Sequence, residues 1–181
     1  LNKLLTQSII LRSIYFFSVL LVNIFLSRYL QAAATGNLYF ITVIFSFSQV
    51  ILSLGGELGF IYFASGNLIE RNKLISVSAV WSFIAGLAMV GFVYLYFLFD
   101  VSADKNLLYW YCSFGFLYTC GQLLTNYSVG IYYTKEQYFL PNYLLAIVNI
   151  IFVFVIPGKT KHVDTIDVER IMFFYFATFF A

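Results

Sequence analysis

LSRYLQAAATGNLYFITVIFSFSQVILSLGGELGFIYFASG, residues 26–66, carries no charged side chain between Arg28 and Glu57. When a helix is started after Gly36 and advanced by 100° per residue, polar side chains fall in one narrow sector, and Phe, Ile, Val and Leu dominate the rest. The polar sector contains Thr42, Ser46, Gln49, Ser53 and Glu57. A bilayer core of about 30 Å takes roughly 20 helical residues to cross, so this stretch predicts a membrane-spanning helix with one polar face.

The composition of the whole chain leads to the same class. Of 181 residues, 62% are apolar and only 10% are charged, which is more apolar surface than a soluble domain of this size can bury. The apolar runs are too long for core helices and lack the alternation of membrane strands. We therefore predict an all-α, polytopic membrane helix bundle. The formal charge of +2, without a Lys/Arg cluster, gives no indication of a nucleic-acid partner.

Five complete spans and the start of a sixth are predicted. They cover residues 8–27, the stretch between Gly36 and Gly66, residues 74–99, 106–134 and 137–156, and then residues 171–181. The first link, residues 28–36, is expected to turn the chain back. The chain begins without methionine and its last apolar run is about half a crossing long. We therefore expect a fragment of a larger, transporter-like protein.

Other spans also carry aligned polar side chains. Ser8, Arg12, Tyr15 and Asn23 share a face of the first span, Thr119, Gln122 and Asn126 share a face of the fourth, and Asn142 and Asn149 share a side of the fifth. Leu123 is expected to face lipid.

In the third span, the small residues Ser76, Ser78, Ser82 and Gly86 favour close helix contact. Cys112 and Cys120 are predicted to pack, and His162 to lie in a solvated loop.

The orientation rests on a weak charge signal. With the N-terminus inside, five Lys/Arg residues fall on each side, so the positive-inside rule does not decide. We expect the N-terminus to be cytoplasmic, which puts the connections 66–73 and 135–136 on the cytoplasmic side together.

Residues 28–39 resemble the first hairpin of bacterial polysaccharide and O-antigen flippases, which belong to the multidrug/oligosaccharidyl-lipid/polysaccharide exporter superfamily. The usual form there is R-x-L-G-P-x-x-F-G-x-Y. The chain keeps Arg28, Leu30 and Gly36 at that spacing. It differs at Gln31, Ala32, Thr35 and Tyr39, the last of which comes one place late. The glycine-bearing stretch 54–59 and the join 132–138, followed by Asn142, are similar to the same family.

The resemblance implies a transporter of two six-helix lobes, with residues 1–181 as nearly all of the N-terminal lobe. Such a protein flips an oligosaccharide linked to undecaprenyl pyrophosphate across the bacterial inner membrane. Its partners would be that lipid-linked oligosaccharide, membrane lipid and other polysaccharide assembly proteins. It would be no enzyme and would need no cofactor or metal.

Polar groups on the predicted helix faces are the candidate site. For substrate binding we expect Arg12, Asn23, Arg28, Gln49, Gln122 and Asn126, with Glu57 as the ion-coupling residue. The amides suit sugar hydroxyls, and an arginine fork suits phosphate. Each has an alternative role, since amides also bond between helices, arginines snorkel to headgroups, and Glu57 could mark the inner end of its span.

Three other functions fit the same sequence. A drug or cation exporter of the same superfamily would differ in the character of its cavity. A polytopic membrane enzyme of polysaccharide assembly would need a sizeable extramembrane loop, and every loop here is short. A purely structural membrane subunit is the third alternative, and the alignment of polar side chains makes it less favoured.

Overall fold

A computed structural model describes residues 2–99, 107–135, 137, 139–155 and 165–178. Within those residues all regular structure is helical. The helices are α1 (Asn2–Ser53), α2 (Gly56–Ser65), α3 (Arg71–Phe99), α4 (Leu108–Tyr133), α5 (Phe139–Val155) and α6 (Thr165–Ala177). The connection 100–105, the Pro157-Gly158 pair and His162 lie outside the described residues.

Helix α1 doubles back on itself. The Tyr39 hydroxyl donates a hydrogen bond to Asn23 Oδ1 at 3.1 Å, although the two residues are 16 apart in sequence. In a straight helix they would lie about 24 Å apart, beyond the combined reach of the two side chains. Between them the chain therefore reverses. We call the two membrane-length segments of α1 the first arm (Ile9–Leu30) and the second arm (Ala32–Ser53), and the bond between Asn23 and Tyr39 joins one to the other.

The structure corrects the predicted conformation of residues 28–36 and agrees with the predicted position of the turn. Residues 28–36 were expected to form a non-helical link, yet their backbone is helical. Leucine, glutamine and three alanines favour the helix there, and no proline interrupts it. The change of direction, however, lies between Asn23 and Tyr39, which includes the predicted link.

The core is an apolar seam along the arms that extends to α3, α4, α5 and α6. Its members are buried side chains of all these elements: Val22, Leu26, Leu30, Leu38, Ile41, Phe45, Met89, Val93, Phe97, Phe114, Tyr118, Phe152, Val153, Ile171, Met172 and Phe176. Phe176 packs its ring against Phe45, Phe114 and Tyr118. Aromatic rings thus join α6 to both the second arm and α4.

Small residues let α3 and α4 approach closely, as predicted. Ser78, Ser82 and Gly86 are buried, whereas Ser76 is exposed and bonds the Asn72 carbonyl. A Cβ added at Gly86 would lie 3.0 Å from the Cys120 Cβ and from the Phe116 ring. Leu123, which was expected to face lipid, is instead 1% exposed and packs with Ala85 and Tyr127. That prediction was wrong because α3 covers this side of α4.

A sharp break separates the second arm from α2. Leu54 and Gly55 both adopt the left-handed conformation, with φ of 48° and 68°. Glycine takes this conformation without cost, whereas leucine does not. Tyr127 donates to the carbonyl of Ser53 at 3.3 Å, so α4 satisfies one backbone group at the end of the second arm.

Among the residues that the structure describes, three segments are long and apolar enough to cross a membrane: the first arm, the second arm and α3. The prediction of five complete spans is thus confirmed only in part. The described part of α5 has 17 residues, and α4, with 26, carries Gln122, Asn126 and several glycines and tyrosines. Helix α6 begins at Thr165, earlier than the predicted 171.

The connections 66–70 and 134–137 lie at the same end of the bundle. Lys135 Nζ donates to Asn67 Oδ1, and Arg71 donates to Gln137 Oε1 at 3.4 Å. The guanidinium of Arg71 also lies over the Tyr132 ring, 5.6 Å from its centroid. The expectation that these connections share a side is confirmed, and the identity of that side stays a prediction.

Spin labels on the two arms test the reversal. Phe16→Cys and Phe47→Cys place labels on exposed positions 31 residues apart, with Cys112 and Cys120 replaced by alanine. A straight helix would separate these positions by about 46 Å, whereas the reversal brings them within about 30 Å. Pulsed electron paramagnetic resonance measures the distance. Labels at Val80 and Leu98 of α3 are the control, with about 27 Å expected, and a distance near 46 Å for the first pair would exclude the reversal.

Gly86→Val tests the close approach of α3 and α4. The added side chain meets Cys120 and Phe116, so we expect a loss of about 1–3 kcal/mol in the free energy of unfolding. Gly91→Val is the matched control, because a Cβ at Gly91 has nothing within 4 Å. Thermal unfolding in detergent compares the two variants. Equal melting temperatures would show that the interface has room for a side chain.

Candidate functional site

A cavity of about 600 Å³ lies at the end of the bundle where the first arm begins, α4 ends and α5 begins. It is lined by Arg12, Tyr15, Phe16, Glu57, Ile61, Gln122, Thr125, Asn126, Val129, Gly130, Tyr133, Thr134, Asn142 and Leu145. We call it the Arg12 cavity. Its volume falls in the range of sites for small molecules, about 300–1,000 Å³. Residues of α1, α2, α4 and α5 that are far apart in sequence meet there because α1 reverses.

The guanidinium of Arg12 lies over the ring of Tyr133. The distance from its Cζ to the ring centroid is 5.0 Å, which is cation–π geometry. The Tyr133 hydroxyl in turn donates to Asn142 Oδ1 at 3.0 Å. Tyr133 therefore links the first arm to α5 and fixes a positive charge at the wall of the cavity.

Two of the predicted amides, Gln122 and Asn126, line the same cavity from α4. Gln122 Nε2 donates to Asn126 Oδ1 at 3.5 Å, a long bond between neighbours one turn apart. Each amide keeps further hydrogen-bonding capacity for a ligand. The sequence analysis did not include Tyr133, although it lies seven residues after Asn126. At 100° per residue it falls in the same sector, so extending the stripe by two turns would have found it.

Glu57 also lines the Arg12 cavity, from the first turn of α2. Its side chain is exposed, and a carboxylate at this position is stabilised by the helix dipole. In the part of the chain that the structure describes, Glu57 forms no ion pair with Arg12. The cavity thus has one cationic and one anionic group that do not neutralise each other directly.

The other three predicted site residues lie elsewhere. Asn23 accepts the hydrogen bond of Tyr39, and Gln49 is 9% exposed within the bundle. Arg28 is exposed near the reversal, about 24 Å along the first arm from Arg12. The two arginines therefore cannot grip the same phosphate group. Four of the seven predicted residues, Arg12, Glu57, Gln122 and Asn126, share one cavity.

The members of the polar stripe that lie on the second arm do not line this cavity, and one of them, Ser46, contacts α4. Ser46 Oγ lies 2.6 Å from the Tyr118 hydroxyl, and Thr42 donates to the carbonyl of Leu38. Thr119 is fully buried and has no hydrogen-bond partner among the described residues. The expectation of a wet face is wrong for Thr119, which is fully buried, and Ser46 pairs with Tyr118 of α4. For Thr42 the wet face stays a prediction. Cys112 and Cys120 are free thiols, and Cys120 is buried.

The chemistry of the Arg12 cavity suits a polar ligand with a negative group. Amide and hydroxyl groups offer both donors and acceptors, which matches the hydroxyls of a sugar. The arginine offers a charge-assisted bond to phosphate or carboxylate. Phe16, which is 67% exposed, forms part of the wall, so the cavity adjoins the outer apolar surface of the bundle.

No protein-family model, curated protein or solved structure matches this chain.

Proposed function

We propose that the chain is the N-terminal lobe of a multi-pass transporter in the bacterial inner membrane, which flips a lipid-linked oligosaccharide by alternating access. The observation that carries the proposal is the Arg12 cavity itself. In a chain that is 62% apolar, a cation, a carboxylate and three amide side chains converge on one space. The amides Gln122, Asn126 and Asn142 are partly or fully buried, and polar groups inside a membrane bundle are costly and mark the paths of ligands.

The two ends of such a substrate need different surroundings. The glycan and its pyrophosphate need hydrogen-bond partners and positive charge, which the amides and Arg12 offer. The polyprenyl chain needs hydrocarbon. Exposed Phe16 and Phe17 lie beside the cavity on the first arm and are 67% and 62% exposed. A head group held in the cavity would thus leave its lipid tail a short path to the surrounding membrane.

Tyr133 fits this proposal as a positioning residue. Its ring holds the guanidinium of Arg12, and its hydroxyl holds Asn142. A guanidinium stacked on a ring keeps its fork in one plane, which favours two parallel bonds to a phosphate. The charge would therefore be placed before the substrate arrives.

Arg12→Gln tests the phosphate role. The variant keeps a polar side chain but loses the charge, so we expect flipping to slow by about 10- to 100-fold, because a bond to a charged group contributes about 1.5–3 kcal/mol. The assay uses the intact transporter in proteoliposomes that contain a polyprenyl-pyrophosphate-linked oligosaccharide, and a lectin measures the glycan that reaches the far leaflet.

Arg28→Gln is the matched control, because it removes the same charge from the same helix outside the cavity. We expect it to change the rate by less than about twofold, as for an ordinary surface substitution. Equal slowing by both variants would mean that arginines on this helix act through headgroup anchoring. Unchanged flipping by Arg12→Gln would contradict the proposed site.

Glu57→Gln tests coupling to an ion gradient. The substitution keeps the shape of the side chain and removes its ability to bind a proton or cation. If Glu57 couples transport, the variant stays folded but flips at a rate independent of the proton and sodium gradients. Flipping is measured with and without each gradient. Full gradient dependence in the variant would leave Glu57 with its structural role at the start of α2.

A further inference from the structure

A second cavity, of about 530 Å³, lies at the end of the bundle where α3 begins and α4 ends. Its polar side chains are Asn67, Glu70, Arg71, Lys135 and Gln137. We call it the Arg71 cavity. Among the residues that the structure describes, it shares no lining residue with the Arg12 cavity. The two cavities are therefore different spaces, and the proposed function makes no use of this one.

The floor of the Arg71 cavity is apolar. Ala64, Leu74 and Ile131 line it, and they are buried together in a small cluster of α2, α3 and α4. Helix α3 is one of the membrane-length segments and begins at Arg71. The cavity therefore lies where a membrane span meets the surface of the bilayer, with its apolar floor towards the bundle and its polar groups at the rim.

Two cations at the rim are bonded only weakly. Arg71 Nη1 donates to Gln137 Oε1 at 3.4 Å, and Lys135 Nζ donates to Asn67 Oδ1. Both acceptors are neutral amides. An arginine has five N–H donors and a lysine three, so each cation keeps donors for a ligand. The ring of Tyr132, which lies 5.6 Å from the Arg71 guanidinium, holds that side chain beside the cavity.

Positive charge is in excess at this cavity. The carboxylate of Glu70 lies 3.7 Å from Lys73, which is outside the lining. Within the described part of the chain, neither Arg71 nor Lys135 forms an ion pair. The positive end of the α3 dipole adds to their charge, because α3 begins there. The groups at the rim therefore favour an anionic ligand.

We propose that the Arg71 cavity binds the phosphate group of an anionic phospholipid, with Arg71 and Lys135 as its ligands. Phosphate accepts charge-assisted bonds, which are stronger than the present bonds to neutral amides. Basic pockets between membrane helices bind lipid head groups of this kind. Free phosphate offers the same bonds, but the apolar floor and the position at the end of a span favour the lipid.

This site goes beyond the proposed function, because it involves no step of flipping and no residue of the Arg12 cavity. A failure of one proposal would leave the other standing.

Lipid titration of the purified chain tests the site. Native mass spectrometry counts bound phosphatidylglycerol, and phosphatidylcholine with the same acyl chains is the neutral comparison. We expect the unsubstituted chain to prefer phosphatidylglycerol. Arg71→Gln and Lys135→Gln should each lower the affinity for phosphatidylglycerol about fivefold, because each removes one cation, and should leave phosphatidylcholine binding unchanged.

Arg28→Gln is the matched control, since it removes the same charge from an exposed position outside the cavity. We expect it to change the affinity for phosphatidylglycerol less than about twofold. Thermal unfolding in lipid-free detergent checks that each variant is folded. Equal losses in all three variants, or equal binding of the two lipids by the unsubstituted chain, would overturn the proposal.

Photocrosslinking of the unsubstituted chain gives a second measurement that requires no variant. The chain is reconstituted in phosphatidylcholine vesicles with a trace of phosphatidylglycerol that carries a diazirine near its glycerol. We expect more adducts in residues 64–74 and 131–137 than in residues 90–99 at the other end of α3. Unlabelled phosphatidylglycerol should remove these adducts. Removal by inorganic phosphate at matched ionic strength would mean a site for free phosphate, and uniform labelling would mean no site. Either result would contradict the proposal.

Discussion

The contact between Asn23 and Tyr39 reflects the constraint on which the rest of the structure depends, namely that α1 reverses its direction within its own length. A membrane offers no water to an unpaired backbone group. A reversal built from helical residues leaves few such groups. Because α1 reverses, Arg12 near the start of α1 and Glu57 beyond its end line one cavity. In a straight helix they would be more than 60 Å apart.

Helix α4 contributes both to the packed core and to the wall of the Arg12 cavity. One side of it meets α3 through Gly86 and Ser82, where close packing leaves no room for a ligand. Another side presents Gln122, Asn126 and Tyr133 to the Arg12 cavity. Helix α4 therefore packs on one side and presents polar side chains to the cavity on another. The second role accounts for its lower content of apolar residues. Tyr127 adds a bond to the end of the second arm, close to the break at Leu54 and Gly55.

Aromatic residues make up 22% of the chain, and the tyrosines among them act in two ways. Their rings fill the seam between helices, as Tyr118 does against Phe45 and Phe176. Their hydroxyls bond amides and serines on other elements, as Tyr133 does with Asn142. A tyrosine can thus pack in an apolar bundle and still place a polar group at a chosen point. This property explains how a polar cavity exists within so apolar a sequence.

The sequence by itself determined the helical class, the membrane-length apolar segments and most helix limits, because run length and the 100° period depend only on neighbours along the chain. It also indicated which faces are polar. Only the tertiary structure decided which polar residues meet. Ser46 on the second arm and Gln122 on α4 belong to similar polar stripes in sequence, yet Ser46 pairs with Tyr118 of α4, whereas Gln122 lines the Arg12 cavity. Leu123 is buried because α3 covers its side of α4. Such outcomes depend on which helix packs against which, and a periodic pattern gives the face of a helix but not its neighbour.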